Sequence, residues 1–371
     1  LRTWLITSAA AALAFFAPLE VFAACPAFTP TQGVKAGSSP AALAVGDFNR
    51  DGKIDLAVAN YGSHDISILL GKGDGTFPSS FTYKTGLHSS AGIVVADLNR
   101  DGKSDLAVLA TNANAYGVVL FRGIGDGTFV PLGTYNQKPK QLPNAVGVGD
   151  FNGDGKNDLV VSSGDISILN GDGTGNFPTA QIAEKGSAAR ALTIADFNGD
   201  GNDDIAEANA GTISILLNAG GGSFLKAVNF PADSNLQAIT SADVNADSKL
   251  DLVIARLAGA NNVLVLLGDG KGAFGAASHY SAGTSPVSVA IADFDRDGQS
   301  DLAVANLSSN SLSIMRGDGK GGFTTVLNYQ GLAAPQSVVV ADFNKDGKMD
   351  LAVANSGSMT VSIFLNTCTC P

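Results

Sequence analysis

The chain has 371 residues, of which 45% are hydrophobic and 15% charged, with 45 glycines and a formal net charge of −11. That composition is globular and turn-rich, which excludes a disordered polyelectrolyte. The acidic balance disfavours a nucleic-acid partner, whose phosphates call for basic surface.

Residues 1–24 run from Arg2 through an apolar Ala/Leu/Phe stretch to Val21, Phe22 and Ala23, which predicts a secretory signal peptide. Pro18 and Glu20 interrupt the stretch and argue against a retained anchor; Phe22 argues against a lipid-modified Cys25. No later segment is long and apolar enough to span a membrane. Residues 25–371 then read as one closed domain, because no linker or low-complexity stretch divides them.

The first segment of that domain, residues 27–37, aligns with residues 273–283, so a lone strand stands ahead of the first complete unit. That unit follows with period-two alternation around residues 41–47, 56–60, 66–71 and 77–85, giving four short strands. Between the first two strands lies DFNRDGKID, residues 47–55. This nine-residue cassette returns at Asp97, Asp150, Asp196, Asp243, Asp293 and Asp342, at intervals of 46 to 53 residues. A repeat of that length is one supersecondary unit per copy. Four strands in each of seven repeats predict an all-β, seven-bladed propeller. The last unit stops after residue 366, where its fourth strand is due, so the N-terminal strand is expected to complete that blade and close the ring.

Each cassette carries oxygen side chains at positions 1, 3, 5 and 9. They are Asp47, Asn49, Asp51 and Asp55; Asp97, Asn99, Asp101 and Asp105; Asp150, Asn152, Asp154 and Asp158; and Asp196, Asn198, Asp200 and Asp204. The series continues with Asp243, Asn245, Asp247 and Asp251; Asp293, Asp295, Asp297 and Asp301; and Asp342, Asn344, Asp346 and Asp350. An oxygen-only donor set suits Ca²⁺ over transition metals, and up to seven ions are expected. Position 12, where an EF-hand has glutamate, is apolar in six copies and glutamate only in the fourth, at Glu207, and strands replace the helices of an EF-hand. The alternative is a set of Asx-rich turns, but a plain turn needs only one or two such residues. Position 6 is glycine in six copies, which fits a turn of positive φ; Ser248 takes its place in the fifth, the expected weakest site. Three aspartates per cassette plus Asp295 make up 22 of the 34 acidic residues. Seven Ca²⁺ would carry the net charge from −11 to +3.

Phe77, Phe129, Phe177, Phe224, Phe274 and Phe323 each follow a Gly-rich run, and Tyr83, Tyr135, Ala183, Phe230, Tyr280 and Tyr329 stand six residues later. The even offset predicts that each pair shares one face of a fourth strand as blade packing. The Gly-rich runs lack the ending and the following helix of a phosphate loop. Cys25 lies beside the leading strand, while Cys368 and Cys370 follow the final one, so a disulfide is expected at the seam. Either partner for Cys25 fits.

The units, for example residues 289–323, resemble the VCBS/FG-GAP repeats of bacterial surface proteins and of the integrin α-chain propeller. The resemblance covers residues 27–366 and implies a seven-bladed ring with calcium loops on one face and ligands commonly engaged by loops on the other. Those opposite loops carry Asn60, Tyr61 and His64; Asn112, Asn114 and Tyr116; Arg256, Asn261 and Asn262; and residues 136–144.

No catalytic constellation is visible: a polysaccharide lyase that polarises its substrate through calcium in the Asp-rich loops is the least favoured alternative, because a lyase also needs a base and seven similar loops offer no privileged one. His64, His88 and His279 stand without motifs, and Lys138, Lys140, Arg190 and Arg256 read as solvated surface. The expectation is a non-catalytic, monomeric calcium-binding module for recognition or adhesion, secreted, periplasmic or on the cell surface. Its partner is expected to be an extracellular protein or surface polymer. A glycan ligand is less favoured because Trp4 falls in the signal segment and leaves the rest without tryptophan.

Overall fold

The computed structural model describes residues 25–31, 33–111, 116–137, 143–187, 189–259 and 262–369. The predicted signal peptide, Cys370, Asn112, Asn114, Lys138, Lys140 and Asn261 lie outside them, as do the side chains of His88 and Tyr116.

Seven antiparallel sheets form, six of them built from four consecutive strands and the seventh from the last three strands together with the N-terminal ones. Blade one comprises Pro40–Gly46, Asp55–Asn60, Asp65–Leu70 and Ser79–Lys84. Each first strand packs beside the first strands of the blades before and after it, and Pro335–Ala341 of blade seven returns to Pro40–Gly46 of blade one. The ring is closed as expected: Phe28–Pro30 and Val34–Lys35 both pair with Thr360–Asn366, setting Phe28 opposite Asn366 and Val34 opposite Val361.

Second and third strands are covered on both faces because each blade is sandwiched between two others. Leu56, Ala57, Val58 and Ala59 are therefore all fully buried. Alternation splits them: Ala57 and Ala59 face blade two, whereas Leu56 and Val58 face blade seven. Small residues on one face and large ones on the other let neighbouring sheets interlock. Seven such apolar clusters, one per seam, make up the core of the described residues.

The aromatic pairs do pack blades, but across seams instead of on one strand face. Phe77 meets Phe343 of blade seven with ring centroids 5.8 Å apart, while Tyr83 meets Phe129 of blade two at 6.1 Å. The even offset fails because Phe77 precedes its strand and bulges interrupt the fourth strands of blades two and six. A bulge in blade three likewise sets Glu184, not Ala183, opposite Ile166. Phe28 fills the same slot at the closing seam, 5.4 Å from Phe294, and the Tyr329 hydroxyl accepts its N–H at 2.9 Å.

Cys25 pairs with Cys368, with Cα atoms 5.4 Å apart across a sequence separation of 343. In the chain-entropy view, closing so long a loop contributes at most roughly 5–6 kcal/mol. Cys25→Ser should therefore lower the unfolding midpoint by roughly 5 °C or more without reductant and leave it unchanged with reductant. Identical non-reducing melts for variant and wild type would show that the clasp adds nothing.

Candidate functional site

The cassettes fold on their own side chains. Asp47 Oδ1 accepts the N–H of Asp51 at 3.1 Å and its Oδ2 that of Gly52 at 2.9 Å. Asn49 Oδ1 also accepts from Asp51, and Asp51 Oδ1 accepts the N–H of Lys53 at 3.0 Å. The same four bonds recur in the other copies. These are Asx turns wound into a loop. Position 6 has φ between +76° and +85° wherever it is glycine, and Ser248 adopts +64° with its N–H still bonded to Asp243. That left-handed serine costs on the order of 1–2 kcal/mol that glycine does not. Position 4 is left-handed too, at Arg50, Arg100, Ala246, Arg296 and Lys345, a feature that Gly153 and Gly199 signal in the sequence.

The four ligand positions separate into two layers. Positions 1, 3 and 5 form the outer loop, whereas position 9 lies beneath it, at most 1% exposed in every copy. Asp55 Oδ2 accepts the N–H of Phe48 at 2.8 Å and Oδ1 that of Gly71 at 2.7 Å. Its counterparts repeat both bonds, out to Asp350 with Phe343 and Asn366. Burial pushes these carboxyls up despite the donors, with nearby loop aspartates adding to the effect, to about 6 at Asp204, Asp301 and Asp350.

In the sixth cassette Asp293, Asp295 and Asp297 each offer a carboxylate oxygen, all within 4.8 Å of one another. The other six copies have asparagine at position 3 and thus two carboxylates and an amide oxygen in the outer layer. The donor chemistry fits a hard cation throughout. A resident cation already neutralises part of it. Lys53, Lys103, Lys156, Lys249 and Lys348, all at position 7, lie 2.8–3.4 Å from the position-5 carboxylate of their own loop. In the sixth loop Arg316 reaches both Asp295 and Asp297, at 2.8 and 3.1 Å. The repeating lysine was visible in the sequence; the arginine, from the third strand, was not.

A further acidic tier accompanies the cassettes. Asp74, Asp126, Asp172, Asp269 and Asp318 sit in the turns between third and fourth strands, where each accepts N–H groups of its own turn. These turns share the cassette face, since Gly75 donates its N–H to Phe343 O at 3.0 Å and Gly127 to Phe48 O at 3.0 Å.

On the opposite face the structure reassigns several recognition candidates. Asn60 is fully buried, with its amide bonded to Asp65 and Ser67, and Asn262 is 2% exposed and bonded to Gly283 and Ala282. Asn144 bonds the Ala189 carbonyl. The amide N–H groups of all three are taken up by neighbouring residues, so these side chains hold loops in place. Arg256 pairs with Asp233 at 3.1 Å, and His279 lies 3.4 Å from the same carboxylate. Tyr61, 52% exposed, and Arg190 remain open on this face.

Removing the two layers should have unequal costs. In chelator, Asp350→Ala strands two buried N–H groups and should cost roughly 2–4 kcal/mol in urea unfolding, while the exposed Asp346→Ala should cost under about 1 kcal/mol. Equal losses would refute the division into an anchoring and an outer layer.

The family model described as FG-GAP-like repeat matches residues 47–108, 107–161, 162–207, 196–254, 243–304 and 293–353. No curated protein matches the chain in sequence. Among solved structures, one similar chain comes from a crystal structure of BBS1N in complex with ARL6DN, soaked with lead. It is 13% identical at a TM-score of 0.65, covering 92% of this chain and 98% of that one. A mercury-soaked crystal of the same complex gives 13% and 0.63, over 93% and 98%. An Agrocybe aegerita lectin, described by its recognition of non-reducing terminal N-acetylglucosamine, is 19% identical at 0.56, over 87% of each chain. At these identities the likeness is one of fold. The repeated family match across most of its length makes this chain a member of the FG-GAP-like repeat family.

Proposed function

We propose that this protein is an exported, calcium-stabilised recognition module that engages an extracellular protein or surface polymer through the face opposite its cassettes. The observation that carries this reading is the division of labour between the two faces. One repeats a single oxygen-donor loop seven times, whereas the other varies in loop length and chemistry from blade to blade. A uniform face suits a structural ion, and a varied one suits specificity. The Cys25–Cys368 disulfide favours an oxidising compartment, and among the described residues no helix is long and apolar enough to cross a membrane. With a Kd near ~0.1 mM in ~1 mM calcium, each site would add roughly 1.4 kcal/mol of stability. The reading assigns no catalysis to the ring and treats it as a monomer.

A second reading, glycan binding, has one feature in its favour. Between the outer edges of blades four and five, a cleft of about 410 Å³ is lined by Phe230, Pro231, Asp233, Phe274 and His279. Apolar rings beside a carboxylate and an imidazole suit a sugar's two kinds of surface.

Calcium should raise the unfolding midpoint of the wild-type chain, and chelator should lower it. Asp154→Ala should forfeit more of that gain than Asp247→Ala, whose loop already carries the strained Ser248. A midpoint indifferent to calcium would defeat the metal reading. Screening the protein against extracellular-matrix proteins and a glycan array, with calcium and then with chelator, separates the ligands. A protein signal weakened by Tyr61→Ala supports the leading reading. A glycan signal abolished by Asp233→Ala selects the second. Release of unsaturated sugars from acidic polysaccharides would overturn the non-catalytic assignment.

A further inference from the structure

The seam between blades three and four departs from the other six at two positions. Opposite the first buried hydrophobic residue of each third strand, the fourth strand presents Tyr83, Tyr135, Phe230, Tyr280, Tyr329 or Val34; in blade three it presents Glu184. Three residues after position 9, the second strand buries Val58, Val108, Val161, Ile254, Val304 or Val353; in blade four it buries Glu207. Tyr83 and Val108 belong to the same apolar cluster between blades one and two. The repeat therefore places Glu184 and Glu207 on the two sides of one seam.

Glu207 is 0% exposed. Its Oε2 accepts from the Ser187 hydroxyl at 2.7 Å and from the Asn209 amide at 3.5 Å. Its Oε1 is buried without any hydrogen-bond partner, and so is Glu184 Oε2. No basic side chain among the described residues forms an ion pair with either carboxylate, and burial followed by the charge of Glu184 pushes Glu207 up to about 7. An ionised carboxylate held this way, beside another acid, is costly unless a positive charge joins it.

We propose that this seam is a cation site separate from the cassettes, in which Glu184 and Glu207 ligate one hard divalent cation of the calcium class. The Ser187 hydroxyl, already against Glu207, offers a further oxygen from the connection between the blades. Two carboxylates and a hydroxyl, with no nitrogen or sulfur, select an oxygen-seeking ion. Both glutamates are the penultimate residues of Thr179–Lys185 and Asp204–Ala208, strands that end on the face opposite the cassettes. The ion would tie the outer edge of blade three to the centre of blade four, where five of the other six seams set an aromatic ring on a β-branched residue and the remaining one sets Val34 there.

Native mass spectrometry of the full chain titrated with calcium chloride tests this. Glu207→Gln is expected to bind one Ca²⁺ fewer than wild type. The double variant Glu184→Tyr/Glu207→Val, which restores the apolar pair of the other seams, should fold and show the same deficit of one. If the single variant unfolds, the double variant decides. Equal stoichiometry in wild type and a folded variant overturns the proposal. The cassettes fail separately: a wild-type chain that binds a single ion, lost in Glu207→Gln, would uphold the seam site and reject theirs.

Discussion

The buried aspartate at position 9 is the constraint on which the ring depends. Its two oxygens tie the N–H of position 2 to the start of the turn before the fourth strand, thereby joining the first and last hairpins of one blade. That bond orients position 2, whose apolar side chain, a phenylalanine ring in five copies, packs toward the following blade. Phe48 packs its ring on Phe129, with centroids 5.4 Å apart, while its carbonyl accepts the N–H of Gly127. Phe343 does the same for Phe77 and Gly75. Where the donor differs, the acceptor does not: Asn218 and Asn366 side chains reach the carbonyls of Phe151 and Phe294. A carboxylate inside each blade thus sets the contact between blades.

This coupling explains how a motif with metal-ligand spacing can also be a structural element. The outer carboxylates hold the loop through backbone N–H groups and leave their remaining lone pairs directed toward solvent and the position-7 lysine. A cation entering such a loop would displace an ammonium group from an already formed turn, so little ordering would accompany binding. Because the loop rests on position 9, and position 9 holds the neighbouring blade through position 2, stabilising one loop would stiffen two seams.

Repetition makes departures from it informative. Six seams share aromatic or β-branched residues at two facing positions, and the third-to-fourth seam replaces both with glutamate. A single acid could be accommodated by rotating to solvent. Two on opposite sides of one buried seam, each with an unpartnered oxygen, form a coordinated change in the chemistry of that interface.

Much of this was legible in the chain itself. The spacing from Asp47 to Asp342 gave the number of blades, strand alternation gave four strands per blade, and the alignment of residues 27–37 with 273–283 gave the closure. Local backbone chemistry is encoded locally, so glycine at position 6 announced its positive φ before any coordinates. What sequence could not supply were relations between residues far apart in the chain. It left Cys25 with two partners, put Tyr83 on the same face as Phe77, aligned Ala183 where a bulge brings Glu184, and offered Asn60 as a surface ligand. Each was decided by packing, because a bulge, a neighbouring blade or a buried amide's partner exists only once the sheets are stacked. Period and turn chemistry determine the blade; which side chains meet between blades is determined only when the ring closes.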